Sequence, residues 1–382
     1  MTIHAIVRNG DFSTNLVFPM RDNAMQDRLD IIGVSMEDAT SVYVSEILTP
    51  AELQWLSKKH LNLDELNYLA KRMDSFSAME MEQFYAAMAQ QRMDDLKSLI
   101  NLTFNLDKFT LIQNVSNMSA VGRAFLLIRE GALPARDQDN PRYAAVGREL
   151  LQSGKGIATD HGLLFVADEP MEEVYDGRSF PEYQYQDSFV RVTINYEDQE
   201  ETIYLPDDDL AITKAVHRIG ADIAEDCDVR LEDLSMGDGW EERLDGILQQ
   251  DGLYAANALL RAVQENHVDT VKLEAVAEYM EVGSVAALTG LIQYIDEFYY
   301  MEGADTPEEV GRWLIENNND YELGPGLDEF FDFDAFGESI AEECRGRFLG
   351  SDFVCFCEYC DPEEIEKEIR ALEKGETMEM TM

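Results

Sequence analysis

Short runs rich in apolar, β-branched and aromatic residues stand at 4–8 and 15–18, and again at 189–196 and 201–205. Each pair of runs predicts two neighbouring strands, most simply a hairpin. Helical spacing follows each pair. "RDNAMQDRLDIIG" and "PDDDLAITKAVHRIG" both start with acids or Asn and stop at a glycine, as the helix dipole and C-terminal geometry favour. In "NLDELNYLAKRMDSF", Leu63, Leu66, Leu69 and Ala70 share one helical face, with Asn62 or Asp64 near the cap. "SAMEMEQFYAAMAQ" and "RMDDLKSLINL" read as short helices, "KFTLIQNV" as a strand and "NMSAVGRAFLL" as a helix. In "DTPEEVGRWLIEN", Thr306 is placed to cap and Pro307 to take the first helical position. "GLLFVAD" and "DFVCFCEY" read as late strands, each after a small helix. The expected class is α+β, with several small antiparallel sheets and helices between them.

The two halves of this pattern resemble each other. "DKFTLIQNVSNMSAVGRAFL" from Asp107 and "DEFYYMEGADTPEEVGRWLI" from Asp296 share D-x-F and a later V-G-R at the same interval, 189 positions apart. "AAVGRELLQSGKGIATDHGLLF" from Ala144 and "DAFGESIAEECRGRFLGSDFVCF" from Asp334 lie 190 apart, pairing Gly147 with Gly337. Pro19 to Gly33 matches Pro206 to Gly220 at an offset of 187, and "LNYLAKRM" fits "ANALLRAV" at 190. Four segments in one order at nearly one offset predict a tandem duplication. The expected organisation is a first unit at 1–168, a connector at 169–189 whose aromatics suit packing, a second unit at 190–360 and an acidic C-terminal helix or tail at 361–382.

Charge separates what the pattern unites. The chain of 382 residues carries a formal net charge of −47 with 45% hydrophobic and 10% aromatic residues, so it can build real cores despite its acidity. Residues 1–170 hold 16 Lys/Arg against 23 Asp/Glu, whereas 171–382 hold 14 against 54. The acidity therefore belongs to the second half. Such a surface argues against direct binding of DNA or RNA, which needs Lys and Arg at the phosphates, and against an anionic membrane. No run of about 18 apolar residues predicts a membrane span. The opening "MTIHAIVRNGDFS" reads as strand and turn instead of a signal, and five cysteines without one suggest reduced thiols in a cytoplasm.

Few residues are arranged for chemistry. Cys355, Cys357 and Cys360 in "FVCFCEYC", with Cys344 upstream, have the donors for a tetrahedral zinc site, but lack paired C-x-x-C knuckles. In the duplication Cys355 falls on Phe165 and Cys357 on Ala167, strand positions where cysteine serves as a small apolar residue. No metal or other cofactor is therefore expected. The five histidines form no metal-ligand pair, and "SGKG" at Ser153 lacks the leading glycines of a phosphate loop. The carboxylates come in solvated runs instead of tuned pairs, so no catalytic residue is expected. They are Asp207, Asp208 and Asp209; Glu225, Asp226 and Asp228; Glu232 and Asp233; Glu308 and Glu309; and Asp328, Glu329, Asp332, Asp334, Glu338, Glu342 and Glu343. Carried on short helices anchored by aromatics such as Phe333 and Phe336, these acids suit a surface that stands in for phosphates.

Four segments carry a family resemblance: "FPMRDNAMQDRLDIIGV", "LNLDELNYLAKRM", "DTPEEVGRWLIEN" and "FFDFDAFGESIAEECRGRFLGSDFVCF". Phe333, Asp334, Phe336, Gly337 and Phe348 match an aromatic-Asp-x-aromatic-Gly helix followed by a turn and last strand. Tyr143, Gly147 and Ile157 echo it in the first half without the acids. With these the chain resembles the ArdA antirestriction proteins, DNA mimics of conjugative plasmids and transposons. The resemblance implies an elongated, multi-domain acidic protein, usually a homodimer, that blocks the DNA groove of a type I restriction–modification enzyme without catalysis. Two units in one chain depart from the family's length and imply an intramolecular pseudo-dimer. Another DNA-binding protein, such as a CRISPR effector or repressor, is the alternative target. A metal-dependent hydrolase using the acids and Cys355, Cys357 and Cys360 is the reading from a different class.

Overall fold

The computed structural model describes all residues except 114, 116, 135–139, 238, 319–322, 325, 327–329 and 376–382, and the side chains of 37 and 128. The chain divides into two compact units, Met1–Gln186 and Asp187–Met382.

In the first unit, β1 (Ile3–Asn9) and β2 (Phe12–Phe18) form the expected hairpin, and α1 (Asp22–Asp30) follows. Two strands went unforeseen: β3 (Val42–Thr49) and β4 (Lys59–Leu61) extend the sheet to the order β2-β1-β3-β4, all antiparallel. Then come α2 (Leu63–Asp74), α3 (Ala78–Gln91) and α4 (Leu96–Thr103). Asn62 caps α2 by accepting from the Asp64 and Glu65 amides, and Ser77 with Glu80 forms a capping box on α3. The inward faces Ala5, Val7 and Val44 of the sheet, Leu66 and Leu69 of α2 and Phe84 of α3 close one core. The rest of the unit is β5 (Phe109–Ile112), α5 (Met118–Glu130), α6 (Pro141–Gln152), β6 (Ile157–Thr159) and β7 (Gly162–Val166), with sheet order β5-β7-β6.

Residues 171–186, placed in a connector by sequence, belong to this unit. Tyr175 is buried, Phe180 stacks on Tyr68 at 4.6 Å, and the Tyr68 hydroxyl donates to the Pro181 carbonyl at 2.7 Å. Asn101 and Asn105 hold the segment's backbone by accepting from the Tyr175 and Glu172 amides. Aromatic burial thus outweighs the entropy of a free linker.

The second unit opens with β8 (Val190–Tyr196), β9 (Gln199–Leu205) and α7 (Asp209–Arg218). An unforeseen strand, β10 (Asp228–Leu234), completes a sheet of order β10-β8-β9. Four helices follow: α8 (Trp240–Gln250), α9 (Leu253–Glu265), α10 (Thr270–Met280) and α11 (Val285–Tyr294). Then come β11 (Phe298–Met301), α12 (Pro307–Asn317), α13 (Phe333–Glu343), β12 (Arg347–Leu349), β13 (Asp352–Phe356) and α14 (Pro362–Glu373). The sheet order β11-β13-β12 repeats that of β5-β7-β6. The C-terminal helix is no separate appendage: Ile365 and Ile369 of α14 are buried in the second unit's core. The architecture is α+β with small antiparallel sheets, as the pattern predicted. Among the described residues no single helix is long and apolar enough to cross a membrane.

The late sheet of each unit lies between two apolar layers, and strand alternation sorts its side chains. On β13, Val354 and Phe356 join the main core, while Phe353 and Cys355 face Val310, Leu314 and Ile340 of the α12–α13 pair. On β7, Leu164 joins the main core and Phe165 meets Val121 of α5.

Candidate interaction surface and thiol cluster

The α12–α13 pair carries part of the acids singled out by sequence, and its geometry depends on glycine. Gly311 of α12 and Gly337 of α13 sit at the crossing, where a Cβ on Gly337 would lie 1.8 Å from the Pro307 carbonyl oxygen. A Cβ on Gly311 would meet the Phe333 carbonyl at 2.3 Å. Only hydrogen fits there, so the helix backbones approach closely. The first unit has the same arrangement 189 or 190 positions earlier: a Cβ on Gly122 or Gly147 would lie 1.9 Å from the Tyr143 or Met118 carbonyl. Aromatics complete the seat of α13. Phe333 is buried beneath the Arg312 guanidinium at 4.3 Å, and Phe331 packs edge-on against Phe333 and Phe336 at 5.0 and 5.4 Å.

The buried underside leaves the acids outward. Asp332 caps α13 by accepting from the Ala335 amide at 3.1 Å, and Glu343 accepts from Ser339 at 3.2 Å. Asp334, Glu338 and Glu342 are exposed and, among the described residues, have no hydrogen-bond or ion-pair partner. They fall at i, i+4 and i+8, one stripe with a rise of about 6 Å per step. That step covers roughly two nucleotides of one DNA strand at 3.4 Å each. Asp328 and Glu329 lie outside the described residues.

Elsewhere the acids divide. Glu225, Asp226, Asp228 and Asp233 are exposed around β10. Glu232 is engaged by Arg230 at 2.5 Å, which holds its carboxyl below the usual range. Glu308 pairs with Arg312 along α12 at 2.8 Å. Glu309 accepts from the Thr306 hydroxyl and the Asp305 amide, both at 3.0 Å, so it serves first as a cap and its pKa is lowered. Of the run at 207–209, Asp208 alone is turned inward. Asp208 is 8% exposed. Asn257, fully buried on α9, accepts from the Asp207 amide and donates to the Asp207 carbonyl, each at 2.9 Å. Asn257 and Arg261 also donate to the Asp209 carboxylate at 2.9 and 2.7 Å. The Asp207 backbone and the Asp209 carboxylate thus tie the start of α7 to α9; Asp208 is turned from solvent, while Asp209 stays exposed and shares its charge with Arg261. In the first unit Asn67 makes the same two bonds to the Met20 backbone, at 3.0 and 2.9 Å.

The four cysteines near the C-terminus do not converge as one tetrahedral set. Cys344 and Cys355 are buried together behind α13, where their mutual contact and burial push the Cys355 thiol up. Cys357 and Cys360 instead gather with Glu297, their ligand atoms lying within 4.8 Å of one another. Glu297 was missed by sequence reading because it precedes β11, 60 positions away, in a chain crowded with acids. The Cys357 thiol donates to Glu297 Oε2 at 3.1 Å and the Cys360 thiol to the Cys357 carbonyl at 3.2 Å. Burial, followed by the charge of Cys357, pushes the Cys360 thiol up to about 12.

Two larger concavities are lined by Arg8, Asn9 and His60, and by Glu242, Arg243 and Glu373. In the second, Glu373 accepts from the Gly283 and Ser284 amides at 3.2 and 2.9 Å, a structural duty at the start of α11. No protein-family model matches the chain, and a search of curated proteins gives no significant match.

Proposed function

We propose that the chain is a DNA mimic that occupies the DNA-binding groove of a type I restriction–modification enzyme and blocks it competitively, without catalysis. The observation that carries this reading is the outward stripe of Asp334, Glu338 and Glu342, unpaired among the described residues and rigidly seated by Gly337, Phe333 and Phe336. It belongs to a unit, residues 187–382, with 13 Lys/Arg against 50 Asp/Glu, a balance of −37. The first unit, with 17 against 27, is balanced at −10. Fixed carboxylates lose less entropy on docking than a flexible acidic tail would. The resemblance of four segments to ArdA antirestriction proteins supports the choice of target.

We also take the two units as duplicated. The equivalent sheet orders, the glycine crossings and the two-way bonds of Asn67 and Asn257 support this. On this view the shared residues maintain the fold, and the acids were added to the second copy.

The test is competition. Purified chain is titrated against a type I enzyme and its DNA at several salt concentrations. Inhibition should weaken as salt rises, because the charges are exposed and screened. Neutralising the stripe with Asp334→Asn, Glu338→Gln and Glu342→Gln should weaken inhibition about tenfold, taking roughly 0.5 kcal/mol per exposed pair. Inhibition indifferent to both salt and these substitutions would refute mimicry. Binding to another DNA-binding protein, with no effect on type I enzymes, would refute the choice of target.

A further inference from the structure

Glu297, Cys357 and Cys360 are held together by the backbone as well as by their side chains. The Cys357 amide donates to the Glu297 carbonyl at 2.8 Å, which fixes the end of β13 beside the start of β11. Cys360 follows in a C-x-x-C turn ahead of Asp361, the cap of α14. Burial and then the Glu297 carboxylate push the Cys357 thiol up, against a smaller opposing contribution from the Tyr359 backbone. All three side chains are half-buried, accessible to an ion yet confined.

The first unit shows what this position otherwise holds. There the Ala167 amide donates to the Lys108 carbonyl at 2.8 Å, in the same register. Lys108 takes the place of Glu297, and its ammonium lies 3.6 Å from Glu169 and from Glu172. One unit thus supplies its own cation among carboxylates. The other has only anionic or ionisable donors: one carboxylate and two thiols. Lys272 of α10 is within electrostatic reach of Cys357, but interacts more strongly with Asp296 and Asp269.

We propose that Glu297, Cys357 and Cys360 bind a thiophilic divalent cation of the zinc type, with solvent completing the coordination. Two sulfurs and one oxygen suit zinc, and three protein ligands leave a fourth position open. Binding releases the two thiol protons to solvent, so the site's net charge is unchanged. The ion would clip the turn before α14 to the start of β11. This site does not depend on the proposed mimicry.

The full-length chain, reduced and metal-free, is titrated with Co²⁺ at neutral pH. One equivalent should produce sulfur-to-cobalt charge-transfer absorption with tetrahedral d–d bands, and Zn²⁺ should displace it. Cys357→Ser and Cys360→Ser should each weaken uptake at least tenfold, and Glu297→Gln by a smaller factor. Cys227→Ser and Cys344→Ser should leave it unchanged. Zn²⁺ should also raise the Tm of the parent chain and raise that of Glu297→Gln less. Circular dichroism identifies any variant that fails to fold, and Glu297→Gln preserves both thiols. Absence of the charge-transfer band overturns the site, as does a band that survives both Cys357→Ser and Cys360→Ser. A Cys357–Cys360 disulfide whose full reduction restores no cobalt uptake also overturns it.

Discussion

The same substitution, glycine to alanine inside a helix, should have opposite signs at two places in the second unit. At Gly337 a new Cβ lies 1.8 Å from the Pro307 carbonyl oxygen, whereas ordinary contact begins near 3.4 Å, a shortfall of about 1.6 Å. The obstacle is backbone and cannot rotate away, so α12 and α13 must part. That loosens Val310, Leu314, Ile340 and Phe333. Overpacking costs up to about 3 kcal/mol, offset by about 1 kcal/mol of helix propensity, which leaves roughly 2 kcal/mol of net destabilisation. At Gly246, inside α8, a Cβ meets nothing within 4 Å. There only propensity acts, and Gly246→Ala should stabilise by about 0.5–1 kcal/mol. Peptide-resolved hydrogen exchange reads each helix separately, which matters in a chain of two units. Exchange across 333–343 should speed roughly 30-fold in Gly337→Ala, and exchange across 240–250 should slow several-fold in Gly246→Ala. If Gly337→Ala leaves exchange of α13 unchanged or slower, the close crossing is wrong, and with it the account of how the acidic stripe is seated.

Truncating Asn257 to Ala should cost about 1–3 kcal/mol in urea unfolding, because the Asp207 amide loses its partner and the Asp207 carbonyl keeps only Arg261, and Asn67→Ala should cost a similar amount in the first unit. Removing the guanidinium with Arg218→Met should cost about 3 kcal/mol, since Glu201, 6% exposed, loses the bonds it accepts from Arg218 Nε at 3.0 and 3.1 Å and from Arg218 Nη2; thermal unfolding reads this as a lowered transition of the second unit. Burial raises the Glu65 pKa above its ordinary 4.5, overcoming the hydrogen bond donated by Tyr175. Stability from that shift is therefore full below 4.5 and is lost as pH rises through the folded value. Urea titrations across that range should show Glu65→Gln gaining on the parent as pH rises, and a constant difference would contradict it.

Much of the architecture was legible because periodicity reports burial. Leu63, Leu66 and Leu69 are all buried, and the hairpins at both unit starts pair as read. What escaped was set by distant partners. β10, "DVRLEDL", looks like surface because only its pairing with β8 makes it a strand. The connector's fate depended on Asn101, Asn105 and Tyr68, more than 60 positions away in sequence. Acidity alone could not separate the outward Asp334 from Asp208, which the fold leaves only 8% exposed at the start of α7. Likewise four nearby cysteines suggested one cluster, while strand alternation turns Cys355 toward α13 and the next turn carries Cys357 to Glu297.

The helix crossing at Gly311 and Gly337 separates two kinds of mutational freedom. Every contact that seats α13 points inward, and its charges at 334, 338 and 342 point outward into unoccupied positions. Replacing an outward residue costs the fold almost nothing, because exposed substitutions are usually worth within about 0.5 kcal/mol. The charge of this face is therefore an adjustable setting, movable one step at a time without disturbing the frame beneath. A surface built this way can be rewritten while the fold that carries it stays the same.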